Sequence, residues 1–227
     1  YTDENDGLTH FDVERLPNGK LLEQMKFGII GLLQPERVLD ILQHFIVFER
    51  EDGKIIKKVA RYQQLRAANK IVDRVVESNE KQGVIWHTQG SGKSLTMLYT
   101  AYKLSRAEKL NDPTVYIVVD RKDLKDQLDD TFFNCVFPNA RQVLSIGDLI
   151  NLIKTKPAGV YITTIQKFRA LGDIKDEREN VIVLIDEAHR TEYGEFQMEL
   201  RAVLPTAQRF AFTGTPVPKT HREFGVK

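Results

Sequence analysis

A chain of 227 residues with 41% hydrophobic and 29% charged side chains can bury the core of one α/β domain with a small appendage. No apolar run approaches the length of a helical membrane span, and the formal net charge of +1 means that any nucleic-acid contact must come from local placement of Lys and Arg. A single cysteine, Cys135, set among Phe132, Phe133, Val136 and Phe137, excludes an internal disulfide and a cysteine-rich zinc site. It reads as a core thiol, and a reducing, cytoplasmic setting fits.

Residues 1 to about 34 carry turn signals at Asp6-Gly7 and Pro17-Asn18-Gly19 without firm periodicity. With neither an initiating Met nor a charged-then-apolar leader, the chain is expected to be a piece of a longer protein. Pro35-Glu36 opens a helical pattern in Val38, Leu39, Leu42, Phe45 and Ile46, and Glu51-Asp52-Gly53-Lys54 supplies a turn after it. A second amphipathic helix is predicted from Tyr62 to about Glu80, with Leu65, Ala68, Val72, Val75 and Val76 on one side. From Gly83 onward short apolar runs alternate with helical stretches. The predicted strands are Val84 to Trp86, Thr114 to Val119, Gln142 to Ser145, Gly159 to Thr163, Val181 to Ile185 and Arg209 to Phe212. Helices are predicted to begin near Gly92, Lys122, Asp148, Thr164 and Tyr193. Strands apolar throughout require cover on both faces, so the pattern predicts a doubly wound, mostly parallel α/β sheet.

Two segments carry chemistry. Val84 to Thr96 reads as strand, loop and helix around His87-Thr88-Gln89-Gly90-Ser91-Gly92-Lys93-Ser94. Gly90 and Gly92 let the backbone wrap phosphate oxygens, Lys93 adds a charge on the β- and γ-phosphates, and the Ser94 hydroxyl is placed for Mg²⁺. The standard phosphate-loop string asks for Gly where this chain has His87, whose side chain either touches a phosphate or fills the loop. The run Val181 to Ile185 leads straight into Asp186-Glu187-Ala188-His189, so both acids stand at a strand's carboxyl end, where such sheets bind ligands. Asp186 is placed to hold Mg²⁺ and Glu187 to orient or deprotonate the attacking water. The last strand ends in Thr213-Gly214-Thr215-Pro216, whose hydroxyls, with His189 as relay, are candidates for sensing the γ-phosphate; a plain Thr-Gly turn and a capping His189 remain the alternatives.

In order, these three strings resemble motifs I, II and III of superfamily 2 helicases over about residues 55 to 220. Trp86 to Ser94, Asp186 to Arg190 and Phe212 to Pro216 resemble most the motor (R) subunit of type I restriction enzymes, a family in which the His ahead of the loop is usual. The resemblance implies a RecA-like phosphate-loop ATPase domain at 56–227, preceded at 1–55 by a short, partly helical flank that follows a nuclease domain. It implies ATP and Mg²⁺ as cofactors and Lys93, Asp186 and Glu187 as catalytic groups. It also implies an adenine-reading glutamine in Arg61-Tyr62-Gln63, with Gln64 a near-equal candidate beside Gln63. Asp120 to Leu124 and Thr163 to Phe168 resemble the DNA-backbone motifs Ia and Ib, which nominates Arg121, Lys122, Thr164, Gln166 and Lys167; solvated surface charge is the alternative for Arg121 and Lys167.

The implied activity is duplex-DNA translocation, with methyltransferase and specificity subunits as partners and no membrane. The family's second motor lobe, with its arginine finger, is not found in these residues, so the chain alone is expected to bind nucleotide and hydrolyse it poorly. Another superfamily 2 motor, of the repair or type III restriction kind, and a phosphate-loop ATP-binding switch are the competing readings. A metabolic kinase fits least, for want of a phosphate-acceptor pocket and lid arginines.

Overall fold

The computed structural model describes residues 33–51, 53–77, 81–87, 90–119, 140–172, 174–186 and 193–214. Contacts divide the chain into two units, Tyr1–Ile46 and Val47–Lys227. The first contains helix α1 (Pro35–His44), which opens with proline in its first turn, where the missing N–H costs nothing. Sequence periodicity carries this helix through Phe45 and Ile46, but Phe45 leaves helical geometry (φ −119°, ψ 22°) and Ile46 starts a strand. Apolar residues spaced for a helix here run on into a segment that pairs instead.

That strand, β1 (Ile46–Glu51), and β2 (Lys54–Val59) form a two-stranded sheet. The hairpin turns at the predicted Glu51-to-Lys54 signal and straddles residue 55, where the flank was expected to end. Its alternation is visible in burial: Val47 and Glu49 are buried while Phe48 and Arg50 are exposed, and Glu49 forms an ion pair with Lys58.

Helix α2 is described over Tyr62–Glu77, and its predicted end near Glu80 lies outside the described residues. Its buried face is Gln64, Leu65, Ala68, Ile71, Val72 and Val75, a spacing of three and four residues that packs this face against helix α3 (Lys93–Ser105). The main sheet has the order β3-β8-β7-β4-β6-β5, with β3 Gln82–Trp86, β4 Thr114–Val119, β5 Ala140–Gln142, β6 Gly159–Thr164, β7 Val181–Asp186 and β8 Gln208–Thr213. Every pairing between these strands is parallel. β4, β7 and β8 are buried at every residue, as strands covered on both faces must be.

The chain steps from β3 across the sheet to β4 and later returns through β6, β7 and β8. With right-handed crossovers, this reversal sets α3 on one face and helices α4 (Ile146–Thr155), α5 (Ile165–Arg169) and α6 (Tyr193–Val203) on the other. On the second face Leu149, Ile153, Phe168, Phe196, Leu200 and Val203 close over Tyr116, Val183 and Ile185 in one apolar cluster. Phe168 meets Tyr116 edge-on at 5.8 Å and Phe196 at 6.2 Å, geometry that adds to area burial. The expected doubly wound parallel α/β class is what the chain adopts.

Two further boundaries differ from expectation. The strand expected at Gln142 to Ser145 ends at Gln142, and the helix expected near Asp148 begins at Ile146. The reason is a capping box: Ser145 Oγ accepts from the Asp148 amide at 3.0 Å while Asp148 Oδ2 accepts from the Ser145 amide at 2.9 Å. At the opposite end of the sheet, Asp176 is fully buried and gripped by Arg178, whose Nη2 lies 2.7 Å from Oδ2 and 3.1 Å from Thr114 Oγ1. Burial pushes the Asp176 carboxyl up, but the hydrogen bonds and charge of Arg178, with Lys156 behind it, outweigh burial and hold it below the usual carboxylate value. Among the described residues no helix is long and apolar enough to cross a membrane. The helix expected near Lys122, Cys135 and the turns before residue 33 lie outside the described residues.

Candidate functional site

Because β3, β8 and β7 are neighbouring parallel strands, their carboxyl ends meet at one edge of the sheet. Trp86 pairs with Thr213, and Phe212 pairs with Asp186, so the phosphate-loop strand, the Thr-Gly turn and the acidic strand finish level with one another. Gly90 and Gly92 follow β3 at φ +76° and +82°, left-handed values that glycine adopts without strain. Gly92 is the N-cap of α3. Among the described residues no side chain caps that helix and no acidic residue sits in its first turn, so its first amides keep their donors for an oxygen ligand.

Lys93, the first residue of α3, reaches across β8: its Nζ lies 2.9 Å from Asp186 Oδ1, with the two side chains 17% and 5% exposed. An ammonium and a carboxylate held together at low exposure beside a glycine loop form a donor set for polyphosphate and a divalent cation. The loop and helix amides with Lys93 suit phosphate oxygens, and the Ser94 hydroxyl and Asp186 are hard oxygen ligands of the kind Mg²⁺ takes.

His87 is 5% exposed and does not project from the loop. Its Nδ1 lies 2.6 Å from Ser91 Oγ and its Nε2 3.2 Å from Thr96 Oγ1, and its backbone N–H donates to Thr213 O at 2.9 Å. Burial, and then the charge of Lys93, lower its pKa and favour the neutral ring. The ring thus lies inside the loop, between Ser91 and Thr96. Thr96, which the sequence reading passed over, donates to Gly92 O at 3.2 Å; its place four residues after Gly92, one turn into α3, is the signal that could have found it.

The two glutamines part company. Gln63 is exposed. Gln64 is 2% exposed, accepts from the Arg61 amide at 2.8 Å and donates to Gly92 O at 3.0 Å. It fills the place where an added Gly92 Cβ would stand, 2.4 Å from its Nε2. Trp86 was likewise not singled out: 69% exposed, its indole N–H donates to Gly214 O at 3.1 Å.

On the far side of β7, Thr164 is buried at 6% exposure and N-caps α5 without a side-chain cap bond. Gln166 and Lys167 are half-buried, and the Lys167 ammonium donates to Val143 O, which ties α5 to the end of β5. Thr213 is fully buried at the end of β8. Thr88, Gln89, Arg121, Lys122, Glu187, His189 and Thr215 lie outside the described residues.

Comparison with known proteins agrees with this arrangement. The SWI2/SNF2 ATPase family profile matches residues 63–226. The type I restriction enzyme HindI endonuclease subunit of Haemophilus influenzae is 41% identical over 223 residues, covering 86% of this chain and 21% of that protein. A putative type I restriction enzyme MjaIXP endonuclease subunit of Methanocaldococcus jannaschii is 37% identical over 204 residues, covering 83% and 19%. The chain thus spans about a fifth of the length of these relatives. Among solved structures, a nuclease-deletion mutant of the Type ISP restriction-modification enzyme LlaGI in complex with a DNA substrate mimic superposes with TM-score 0.53 at 19% identity, covering 70% of this chain and 18% of that one. The UvsW helicase from bacteriophage T4 superposes with TM-score 0.52 at 16% identity, covering 81% and 61%; at these identities the likeness is one of fold. With its phosphate loop, acidic strand end and Thr-Gly turn on one sheet edge, the chain belongs to the SWI2/SNF2 ATPase family and has type I restriction enzyme endonuclease subunits as its curated relatives.

Proposed function

We propose that residues 56–227 are the first motor lobe of a type I restriction enzyme R subunit, binding and hydrolysing Mg-ATP to drive duplex DNA past the complex before a separate nuclease domain cuts it. The observation that carries the reading is the Lys93–Asp186 pair, 2.9 Å apart across β8 at the mouth of an uncapped helix and a glycine loop. Bound Mg-ATP supplies the electrophilic γ-phosphorus and the divalent charge on its oxygens.

Lys93 then neutralises charge developing on the transferred phosphoryl oxygens, and the amides at Gly90 to Ser94 fix their position. Thr88 and Gln89 complete the loop. Ser94 and Asp186 hold the cation, while Glu187 orients the attacking water and accepts its proton. The exposed Gln63 reads the adenine edge, because the amide of the buried Gln64 is engaged by the Arg61 amide and Gly92 O. Thr213 and Thr215, with His189, pass the state of the γ-phosphate onward. Arg121, Lys122, Thr164 and Gln166 grip DNA phosphates without reading sequence, with Lys167 at their edge. Methyltransferase and specificity subunits select the site, and a cytoplasmic location goes with this reading.

The test is ATP turnover by the full-length protein with its partner subunits, with and without unmethylated target duplex. Stimulation by the target that disappears in Lys93→Ala supports the motor; brisk turnover indifferent to DNA would leave only a nucleotide-binding fold.

A further inference from the structure

The phosphate loop contains a hydrogen-bond circuit that the standard glycine at position 87 could not form. Gly92 O receives the Thr96 hydroxyl at 3.2 Å, which uses that hydroxyl's one proton. Thr96 Oγ1 therefore meets His87 Nε2, 3.2 Å away, as an acceptor, and the neutral ring carries its proton on Nε2. Nδ1 is then an acceptor and takes the Ser91 hydroxyl proton at 2.6 Å. The bonds run in one direction: Ser91 Oγ to His87 Nδ1, His87 Nε2 to Thr96 Oγ1, Thr96 Oγ1 to Gly92 O. They begin and end on two consecutive residues, so the ring pins the Ser91-Gly92 step against the first turn of α3. The Trp86-His87 dipeptide reaches the neighbouring strand twice, through the His87 amide to Thr213 O at 2.9 Å and the Trp86 indole to Gly214 O at 3.1 Å.

We propose that Trp86 and His87 are positioning residues of the motor: the His87 ring holds the phosphate loop in its nucleotide-receiving shape, and the two N–H donors carry a displacement of that loop to Thr213-Gly214. Neither side chain need touch the nucleotide. A loop pinned beforehand loses less freedom on binding, so the brace acts on affinity. The indole contact runs to Gly214 O and takes no part in the His87 brace, so its loss acts on coupling to DNA and not on affinity.

The inference rests on the ATPase reading above, and Lys93→Ala serves as the control for that reading. The experiment uses the full-length protein with its partner subunits, measuring fluorescent ADP affinity, ATP KM and DNA-stimulated kcat for His87→Ala, Ser91→Ala, the double variant and Trp86→Phe. His87→Ala is expected to weaken nucleotide binding about tenfold, the scale of one or two lost hydrogen bonds, with Ser91→Ala about threefold. The double variant is expected to match His87→Ala within about twofold, because the two residues share one bond. His87→Asn, whose amide reaches Ser91 but not Thr96, recovers part of the loss and keeps the test open should the alanine variant fold poorly.

Trp86→Phe keeps the aromatic ring without its donor and is expected to lower DNA-stimulated kcat about threefold or more at unchanged ATP KM. Independent, multiplying effects of His87→Ala and Ser91→Ala, or an unchanged nucleotide affinity in His87→Ala, overturn the brace. Wild-type stimulation in Trp86→Phe overturns the coupling role. If Lys93→Ala turns over ATP like the parent protein, the motor reading falls instead; if it is inactive while the His87 and Trp86 variants behave as wild type, only this inference falls.

Discussion

Replacing Gln64 with alanine tests the junction between α2 and the phosphate loop. The side chain is 2% exposed and makes two bonds, from the Arg61 amide at 2.8 Å and to Gly92 O at 3.0 Å. Gly92 O keeps the Thr96 amide at 3.1 Å and the Thr96 hydroxyl at 3.2 Å, and Arg61 is exposed to water. Neither partner is left stranded, so the cost is the net value of two ordinary bonds, about 2 kcal/mol. For a domain of this size that lowers Tm by about 4–8 °C. Gln63→Ala, on the exposed neighbour, should stay within about 0.5 kcal/mol. Gly92→Ala supplies the third corner: its Cβ would fall 2.4 Å from Gln64 Nε2 at φ +82°, adding overpacking of about 1–3 kcal/mol to left-handed strain of about 1–2 kcal/mol. In the double variant Gln64→Ala/Gly92→Ala the overpacking disappears and the strain stays, so the pair should cost less than the sum of its parts. Urea and thermal unfolding of the four variants read these quantities directly. Equal losses for Gln63→Ala and Gln64→Ala, or strict additivity in the double variant, would refute the placement of Gln64 against the loop.

Asp186→Asn removes the partner of a low-exposure ammonium and should destabilise the apo protein by about 3 kcal/mol, measured by denaturant unfolding without nucleotide, while abolishing Mg-dependent turnover. Asp176→Asn tests the far edge of the sheet: the folded carboxyl titrates below its unfolded value near 3.9. Its contribution is therefore present above about pH 4 and is lost as pH falls through the folded value. The variant should be less stable than the parent at pH 7, with the difference narrowing in acid, in a pH series of unfolding curves. Lys167→Ala loses the bond to Val143 O and should cost about 1.5 kcal/mol in stability, whereas loss of a DNA phosphate contact would instead reduce the salt slope of DNA binding by about one. Phe196→Ala, fully buried in the apolar cluster edge-on to Phe168, should cost about 3–5 kcal/mol.

The parts of the fold read correctly from sequence are those where one physical demand dominates. β4, β7 and β8 are buried on both faces, so each carries an unbroken apolar run (115–119, 181–185 and 210–212) and their limits follow to within a residue. The β1–β2 hairpin escaped because its strand Lys54–Val59 mixes lysines with aliphatics and leaves Ile55 and Val59 exposed at 68% and 51%, which blurs the alternation. β5 was misplaced because Val143 and Leu144 look like a strand, while the local capping box at Ser145 decides where α4 begins. Which of Gln63 and Gln64 is buried was legible in the sequence. Positions 64, 68, 71, 72 and 75 form one helical face, so a glutamine continuing the apolar stripe of α2 had to point inward.

If this edge holds phosphates as proposed, the strand order gives it a way to register their loss. The phosphate loop follows β3 and the acid ends β7, yet these strands are not neighbours; β8 lies between them. At about 4.8 Å per strand, the loop and the acid stand roughly two strand spacings apart, a gap that a long lysine crosses and a short side chain does not. The Lys93–Asp186 pair therefore passes over the end of β8, where Thr213 is fully buried and pairs with Trp86. A polyanion that draws Lys93 toward itself must loosen its hold on Asp186. The peptide carbonyls of Thr213 and Gly214, bonded to His87 and Trp86 on one side, lie beneath that exchange. A sheet with β3 and β7 adjacent would leave no strand end between them to move.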